Sequence, residues 1–207
     1  MGEQILKLNG LSLEILEKLS YESQLGISLK KNLHYFDKEQ LIDELTNLTE
    51  FLDDQDVLVN IALDYRIKSI ESIILKYNRY YPNLQARKVF NDILGFRAFC
   101  DDYQQVMDFD AANFRIADMS AGKSPDDGYR GVHVYYQKSN RHYPIEIQFN
   151  TLYDRQLNNW LHEHLYKKDY PREIGQTLRI KYEEGKIRNE QEFKENLKYV
   201  LLDCKRS

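Results

Sequence analysis

The sequence predicts an α+β domain: a mixed, mostly antiparallel sheet of about five strands, flanked by helices, with helical segments at both ends. Two β-rich runs, Val132 to Gln137 and Tyr143 to Phe149, are joined by a short polar connection, Lys138-Ser139-Asn140-Arg141. Apolar alternation after Gly95 marks another strand, ending at Asp101-Asp102. Stretches with helical spacing of apolar residues lie on either side of these runs. The expected organisation is an N-terminal helical segment over 1–52, a core over 53–168 and C-terminal helices over 169–207 packed on that core.

A chain of 207 residues allows one substantial domain with room for a small helical appendage. Its hydrophobic fraction of 42% beside 30% charged residues is ordinary for a soluble globular protein. Cys100 and Cys204 stand far apart, forming neither a disulfide framework nor a metal-ligand spacing, which fits a reducing compartment. No apolar run approaches membrane-spanning length, and Met1-Gly2-Glu3-Gln4 lacks a charged-then-apolar signal, so a cytoplasmic address without membrane contact is expected. A net charge of −4 argues against a protein that coats nucleic acid, while leaving room for a basic patch that grips one RNA end. The 16 tyrosines read chiefly as amphipathic packing residues near the surface.

In chain order, Leu13, Leu16 and Leu19 give a short amphipathic helix over 11–19. A linker with Gly26 leads to Lys30-Lys31, a solvated pair that is also a candidate phosphate grip. Asp37 is placed to cap a helix running to about Phe51. Asp53-Asp54-Gln55-Asp56 marks a further helix start, expected to continue to about Tyr80 and stop before Pro82. On that helix Leu63, Ile67, Ile70, Ile74 and Tyr77 share one face. Lys68, Ser72, Lys76 and Arg79 fall nearly opposite, with Arg66 at the edge of the apolar face. Residues 103–109 read as a short helix and 114–119 as a short strand. The loop at 121–126 contains Gly122-Lys123-Ser124 but lacks the upstream glycine and the following helix of a P-loop. Thr151 caps a helix to about Lys168 that carries Leu157, Trp160, Leu161 and Leu165, and helices over 172–184 and 190–202 follow. His162 and His164, two positions apart on a helix, face different ways and make a poor metal pair.

Chemistry concentrates at 127–151. In the second β run Ile145, Ile147 and Phe149 point one way, and Pro144, Glu146 and Gln148 the other. Taken alone, this describes a half-buried strand with Glu146 and Gln148 in solvent. Tyr129, Arg130 and His133 stand just upstream, and a hairpin would gather them with Glu146 and Gln148. A carboxylate, an amide, a guanidinium, an imidazole and a phenol ring in a small space suit a nucleotide better than a bare surface. Asp92 alone reads as a cap or turn residue, and Arg97 as a strand-surface charge.

Gly128-Tyr129-Arg130 with His133, followed by Pro144-Ile145-Glu146-Ile147-Gln148, resembles the signature of the RelA/SpoT-type synthetase domain, a nucleotidyltransferase-like fold. Arg66, Lys68, Ser72 and Lys76 are similar in spacing to that family's R-x-K-x-x-x-S-x-x-x-K element, and Asp92, Gly95 and Arg97 to its D-x-x-G-x-R. The resemblance covers roughly Arg66 to Lys167. It implies a Mg²⁺-dependent pyrophosphokinase that moves pyrophosphate from ATP to the 3′-hydroxyl of a nucleotide acceptor. ATP would be held by Arg66, Lys68, Ser72, Lys76 and Arg97, the two arginines clamping adenine from either side. Asp92 and Glu146 would hold Mg²⁺, Glu146 would accept the proton of the attacking hydroxyl, and Gln148 would orient the acceptor. Tyr129 would stack on the acceptor base, with Arg130, His133, Lys30 and Lys31 completing the acceptor side. Without the resemblance, the residues reach no further than a Mg²⁺-dependent nucleotide enzyme.

The family's alarmone synthetases take GDP or GTP and act in the stringent response, whereas a toxic branch modifies the 3′-CCA end of tRNA and stops translation. Gly131 stands where the alarmone pattern has serine, and Phe149-Asn150-Thr151 where it has I-R-T. The run Asp154, Leu157, Asn158, Trp160 and His162 is also similar to the toxic branch. The expectation is therefore a tRNA-modifying toxin paired with a neutralising antitoxin protein. An alarmone synthetase and a catalytically silent nucleotide-binding module are the alternatives.

Overall fold

The computed structural model describes residues 2–109, 112–168 and 170–204, except the side chains of 203 and 204, so the thiol of Cys204 lies outside the described residues. Helices α1 (Gly2–Leu8), α2 (Leu13–Lys18), α3 (Lys38–Asp53) and α4 (Asp56–Val59) precede strand β1 (Asp64–Ile67). Then come α5 (Ile70–Tyr80), α6 (Ala86–Val89), β2 (Leu94–Phe99), β3 (Phe114–Asp118), β4 (Val132–Tyr136) and β5 (Ile145–Asn150). Helices α7 (Leu152–Leu161), α8 (Glu173–Glu183) and α9 (Glu190–Cys204) complete the chain. The strands form one sheet in the order β1-β2-β5-β4-β3, the mixed, helix-flanked α+β architecture expected.

Contacts group the chain into two compact units. The first comprises Met1–Ala98, Gln104–Ala117 and His133–Phe149, and the second Phe99–Tyr103, Asp118–Val132 and Asn150–Ser207. In the first, Asp37 caps α3 by accepting from the Gln40 amide at 3.0 Å. Leu41, Leu45, Leu48 and Leu52 form its buried stripe. One carboxylate sits inside that stripe: Glu44 accepts from Ser23 Oγ at 2.7 Å, the Gln24 amide at 2.6 Å and Tyr143 Oη at 2.6 Å. The Gly26 linker is thereby anchored. Ser23 donates its backbone N–H to Arg141 O, and Leu29 to Asn140 O, so residues 21–29 run along the β4–β5 connection. Burial of an acid in a leucine stripe is tolerable here because both of its oxygens are bonded.

The continuous helix expected over 53–80 is broken. It gives way to α4, the strand β1 and a new helix α5. Leu63, Tyr65 and Ile67 satisfy strand alternation as well as Leu63, Ile67 and Ile70 satisfy helical spacing, and pairing with β2 decides between them. β1 runs antiparallel to β2 with Asp64 opposite Arg97 and Arg66 opposite Gly95. Ser69, in extended conformation, restarts the helix by accepting from the Ser72 amide at 3.4 Å. Arg66 therefore projects from a strand, Lys68 from a turn, and only Ser72 and Lys76 from a helix.

β5 is buried along both faces, with only Gln148 half-exposed, so the half-buried reading of this strand fails for Glu146. It lies between β2 and β4 in the sheet. In the second unit Trp160, Leu161, Leu178, Tyr182 and Phe193 lead a core drawn from α7, α8 and α9. Helix α7 continues as a π-helical segment, His162–Tyr166, in place of the regular helix expected to about Lys168. Among the described residues no helix is long and apolar enough to cross a membrane.

The Glu44 cluster makes a stability prediction. Tyr143→Phe removes one donor from a buried carboxylate and should lower unfolding free energy by about 1–3 kcal/mol in urea melts. Burial, and then the Glu44 charge, raise the Tyr143 phenol well above its ordinary value of 10.0. The wild-type contribution is thus complete below about pH 10 and lost at higher pH as the folded phenol ionises, so the difference between the two proteins should shrink there.

Candidate active site

Strands β1, β2 and β5, the connection after β1 and the segment before β2 bring charged groups around a cavity of about 150 Å³ in the first unit. Arg66, Lys68, Asp92, Gly95, Arg97, Glu146 and Gln148 line it. Six of these are residues that the sequence singled out for ATP, metal or catalysis.

The cavity is organised by ion pairs. Lys68 is 93% buried and places Nζ 2.8 Å from Asp92 Oδ2, while its backbone N–H donates to Ile93 O at 2.8 Å. Lys76 reaches the other Asp92 oxygen at 2.9 Å and Asn91 Oδ1 at 3.4 Å. Burial pushes the Asp92 carboxyl up, but the two ammoniums outweigh it and hold the group below the usual carboxylate range. Ser72 does not line the cavity; its Oγ accepts from Ser69 Oγ at 3.1 Å in the first turn of α5. The expected row of Lys68, Ser72 and Lys76 is thus replaced by two lysines converging on one aspartate, a consequence of the strand break at β1.

Glu146 is 6% exposed, and each of its oxygens has a partner. His133 Nδ1 lies 3.0 Å from Oε1, and Gln148 Nε2 donates to Oε2 at 2.7 Å. Burial raises its proton affinity, and the hydrogen bond and charge of His133 more than offset this. The Asp92 carboxylate, which lines the same cavity, also pushes it up. Gly95 faces this acid: a Cβ at 95 would stand 3.4 Å from Glu146 Oε2, in ordinary van der Waals contact. Sequence reasoning missed Tyr135. Its hydroxyl lies 3.4 Å from His133 Nδ1, and burial, followed by the charge of Glu146, raises its proton affinity so that it stays a donor. The signal was available, because His133 and Tyr135 are two apart on a strand and face the same way.

Arg66 and Arg97 occupy diagonal positions of the β1–β2 pair, since Arg66 faces Gly95 and Arg97 faces Asp64. Arg97 Nη1 donates to Asp64 Oδ2 at 3.1 Å. Lys31 instead lies with its Nζ 5.2 Å from the centre of the Tyr35 ring, and Lys30 lines a different cavity.

Residues 65–170 match the model of the region found in RelA / SpoT proteins. The chain belongs to the RelA/SpoT family. Every lining residue of the 150 Å³ cavity falls within the matched span. No curated relative matches the chain. Among solved structures, it is similar to small alarmone synthetase 1 of Bacillus subtilis bound to its product pppGpp, at 22% identity over 80% of this chain and 91% of that one, TM-score 0.44. Small alarmone synthetase 2 of the same organism is 19% identical over 83% and 100%, TM-score 0.44. A GTP pyrophosphokinase family protein of Streptococcus pneumoniae is 22% identical over 81% and 90%, TM-score 0.39.

The family's Gly-Tyr-Arg segment belongs to the second unit, where it is rigidly held. The Arg130 guanidinium forms a two-pronged pair with Asp126 at 2.8 and 2.9 Å, which holds the Asp126 carboxyl below its usual range. The Arg130 backbone is gripped too: its N–H donates to Asn158 Oδ1 at 3.3 Å, and its carbonyl accepts from Asn158 Nδ2 at 2.7 Å and Asn150 Nδ2 at 2.8 Å. Arg179, with 0% exposure, donates to Gly128 O at 2.8 Å, Asp154 Oδ1 at 2.6 Å and Asn158 Oδ1 at 3.3 Å. Lys123 pairs with Asp127 at 2.6 Å and has its Nζ 5.8 Å from the centre of the Tyr129 ring.

This packing couples two departures from the alarmone pattern. A Cβ at Gly131 would lie 2.5 Å from Asn150 Nδ2 and 2.7 Å from Tyr129 Oη, so glycine at 131 and the asparagine at 150 fit as a pair. Gly131→Ala should therefore destabilise by about 1–3 kcal/mol. Adding Asn150→Ala should recover part of that loss, so that a double-mutant cycle read by thermal or urea melts gives a coupling of 0.5 kcal/mol or more, roughly the range for residues in contact.

Proposed function

We propose that this chain is an ATP-dependent pyrophosphokinase whose acceptor is the ribose 3′-hydroxyl at the 3′-CCA end of tRNA. It would act in the cytoplasm as the toxin of a pair, with a protein antitoxin. The observation that carries the reaction class is one cavity holding Asp92, Glu146 and Lys68 beside the diagonal arginines Arg66 and Arg97. Diagonal neighbours on paired strands are about 7–8 Å apart. That is roughly two van der Waals separations of about 3.5 Å, the spacing a flat ring needs between two stacked guanidiniums. Adenine fits that description.

Lys68 and Lys76, both paired with Asp92, would transfer to the ATP phosphates and so release the aspartate oxygens. The donor set then suits a hard divalent cation: two oxygen-bearing carboxylates that line one cavity. Asp92 and Glu146 would hold Mg²⁺, and the ion supplies neutralisation of charge on the phosphates when bound. The chain's own residues do the rest. The 3′-oxygen bonds to the β-phosphorus of ATP, the bond from that phosphorus to the AMP oxygen breaks, and AMP leaves with the electron pair. Glu146 takes the hydroxyl proton, with His133 and Gln148 fixing its orientation. Such a transfer depends on alignment and on a fixed electrostatic environment, and both of Glu146's hydrogen-bond partners are already in place.

The tRNA reading is supported by position 150. Where the alarmone pattern carries an arginine, this chain has an asparagine whose amide is committed to the Arg130 carbonyl, so that position offers no cation to a free nucleotide's phosphates. GDP or GTP is the second reading, and it is favoured by the retained Gly128-Tyr129-Arg130 and His133.

Incubation with β-labelled ATP and Mg²⁺ should move label to deacylated tRNA and not to GDP or GTP. Removal of the terminal adenosine should abolish the transfer. Glu146→Gln should slow it by about 10²-fold or more while a non-hydrolysable ATP analogue still binds. Label on guanosine nucleotides alone would restore the alarmone reading, and no transfer to any acceptor would leave a silent nucleotide-binding module.

A further inference from the structure

An ionised carboxylate offers about four lone-pair sites, two on each oxygen. At Glu146 the two oxygens are served from different sides. Oε2 accepts from Gln148 Nε2 at 2.7 Å, and Gln148 is half-exposed, so that donor has room to swing aside. Oε1 has His133 Nδ1 at 3.0 Å, and a second polar group stands next to that nitrogen.

This group is the Tyr135 hydroxyl, 3.4 Å from His133 Nδ1. Tyr135 is buried on β4 two positions after His133, so the two side chains share the face that meets Glu146 on β5. Their rings stand 6.3 Å apart at 61°. β3, on the other side of β4, supplies Arg115, whose guanidinium covers the Tyr135 ring at 4.3 Å from its centre. The ring is held between these neighbours, which fixes the direction of its hydroxyl. Burial, then the Glu146 charge and a hydrogen bond to it, raise the proton affinity of the phenol; the Arg115 charge lowers it and the Asp92 charge raises it. The phenol therefore stays protonated.

A phenylalanine would fill the same volume under Arg115, so packing alone does not call for the oxygen. A buried hydroxyl needs a partner, and those at hand are His133 Nδ1 and the carboxylate. A bare Nδ1 would set its lone pair against the charged oxygen 3.0 Å away. With a proton on Nδ1, the imidazole donates to Oε1 and the phenol donates to the same oxygen.

We infer that Tyr135 is a positioning residue for the acid: with His133 it fills both lone-pair sites of Glu146 Oε1, which stops the carboxylate from rotating and leaves Oε2 as the oxygen presented to the cavity. This rests on the transfer reaction proposed above and names the atom of Glu146 that serves it. Gly95 faces that same oxygen. Glu146, Gln148 and Gly95 line the 150 Å³ cavity, whereas Tyr135 and His133 do not. The donors on Oε1 thus stand behind the acid, and the donor on Oε2 stands in front.

Tyr135→Phe removes one oxygen and keeps the ring beneath Arg115. Nitrogen NMR of the histidine rings in wild type tests the arrangement without turnover, and the His133 ring proton should sit on Nδ1. In the label-transfer assay kcat of Tyr135→Phe should fall about 10-fold. KM for ATP and the affinity for a non-hydrolysable ATP analogue should stay within about twofold of wild type. Loosened packing would instead move KM, analogue binding and the melting curve together. If Nδ1 is bare, the hydroxyl is spent on the imidazole, Oε1 is open, and the inference is overturned while the transfer reaction stands. If Nδ1 carries the proton but Tyr135→Phe turns over like wild type, or loses kcat only together with analogue binding, the inference is overturned as well. If wild type moves label to no acceptor, the enzymatic reading itself falls and takes the inference with it.

Discussion

A carboxylate on an interior strand constrains much of the first unit. β5 has β2 on one side and β4 on the other, so Glu146 has little access to bulk water. An ionised acid in such a place costs several kcal/mol unless it is paired or hydrogen-bonded. The neighbouring strands supply what it needs. β4 contributes His133 to one oxygen, β5 itself contributes Gln148 to the other, and β2 faces the acid with a glycine. Residue choices on neighbouring strands thus follow from one buried charge. The same arrangement keeps the acid ionised, oriented and open on the side where substrate would approach.

The central strands were legible in the sequence because a period of two places Glu146 with Gln148 on a single face, although the same period, which also puts Tyr135 beside His133, went unused. Capping at Asp37 and Thr151 was legible for a related reason: a short polar side chain before an apolar-periodic run has a local job. The break at β1 was not legible. Leu63, Ile67 and Ile70 fit a helix as well as Leu63, Tyr65 and Ile67 fit a strand, and the partner that decides, β2, begins 27 residues after Ile67, at Leu94. Tertiary pairing overrode local spacing there, and it moved Arg66 and Lys68 off the helix that carries Ser72 and Lys76.

Arg179 shows the opposite kind of illegibility. In Gln176-Thr177-Leu178-Arg179-Ile180-Lys181 it reads as a surface charge on an amphipathic helix. In the fold it is completely buried, and its bonds run to Gly128, Asp154 and Asn158, which are 21 to 51 positions away. Five donors in a fixed fork let one side chain satisfy a carbonyl, a carboxylate and an amide oxygen together. Lysine could not reproduce that geometry. The backbone helps as well: Gly128, at φ +88°, passes Gly175 so closely that a Cβ on Gly128 would meet the Gly175 main chain, and one on Gly175 the main chain of Asp127. The Gly-Tyr-Arg segment is therefore held from below by Arg179, by Asn158 and by a glycine–glycine crossing, none of which the motif itself announces.

Cations are distributed unevenly over the first and second units, and the chemistry of the two acceptor classes proposed above differs in how charge is spread. A free guanosine nucleotide concentrates its charge in two or three adjacent phosphates, which suits an arginine at position 150. An RNA end spreads single charges along a strand, which suits cations distributed over a wider surface. Here position 150 is neutral and tied to the backbone of Arg130, whereas Lys30, Arg87, Lys88, Arg115 and Lys138 are spread around a cavity more than twice the volume of the one that holds Asp92 and Glu146. Neither position 150 nor that rim touches the hydrogen bonds of Glu146. The orientation of the acid depends on His133 and Gln148, and these belong to neither set of cations.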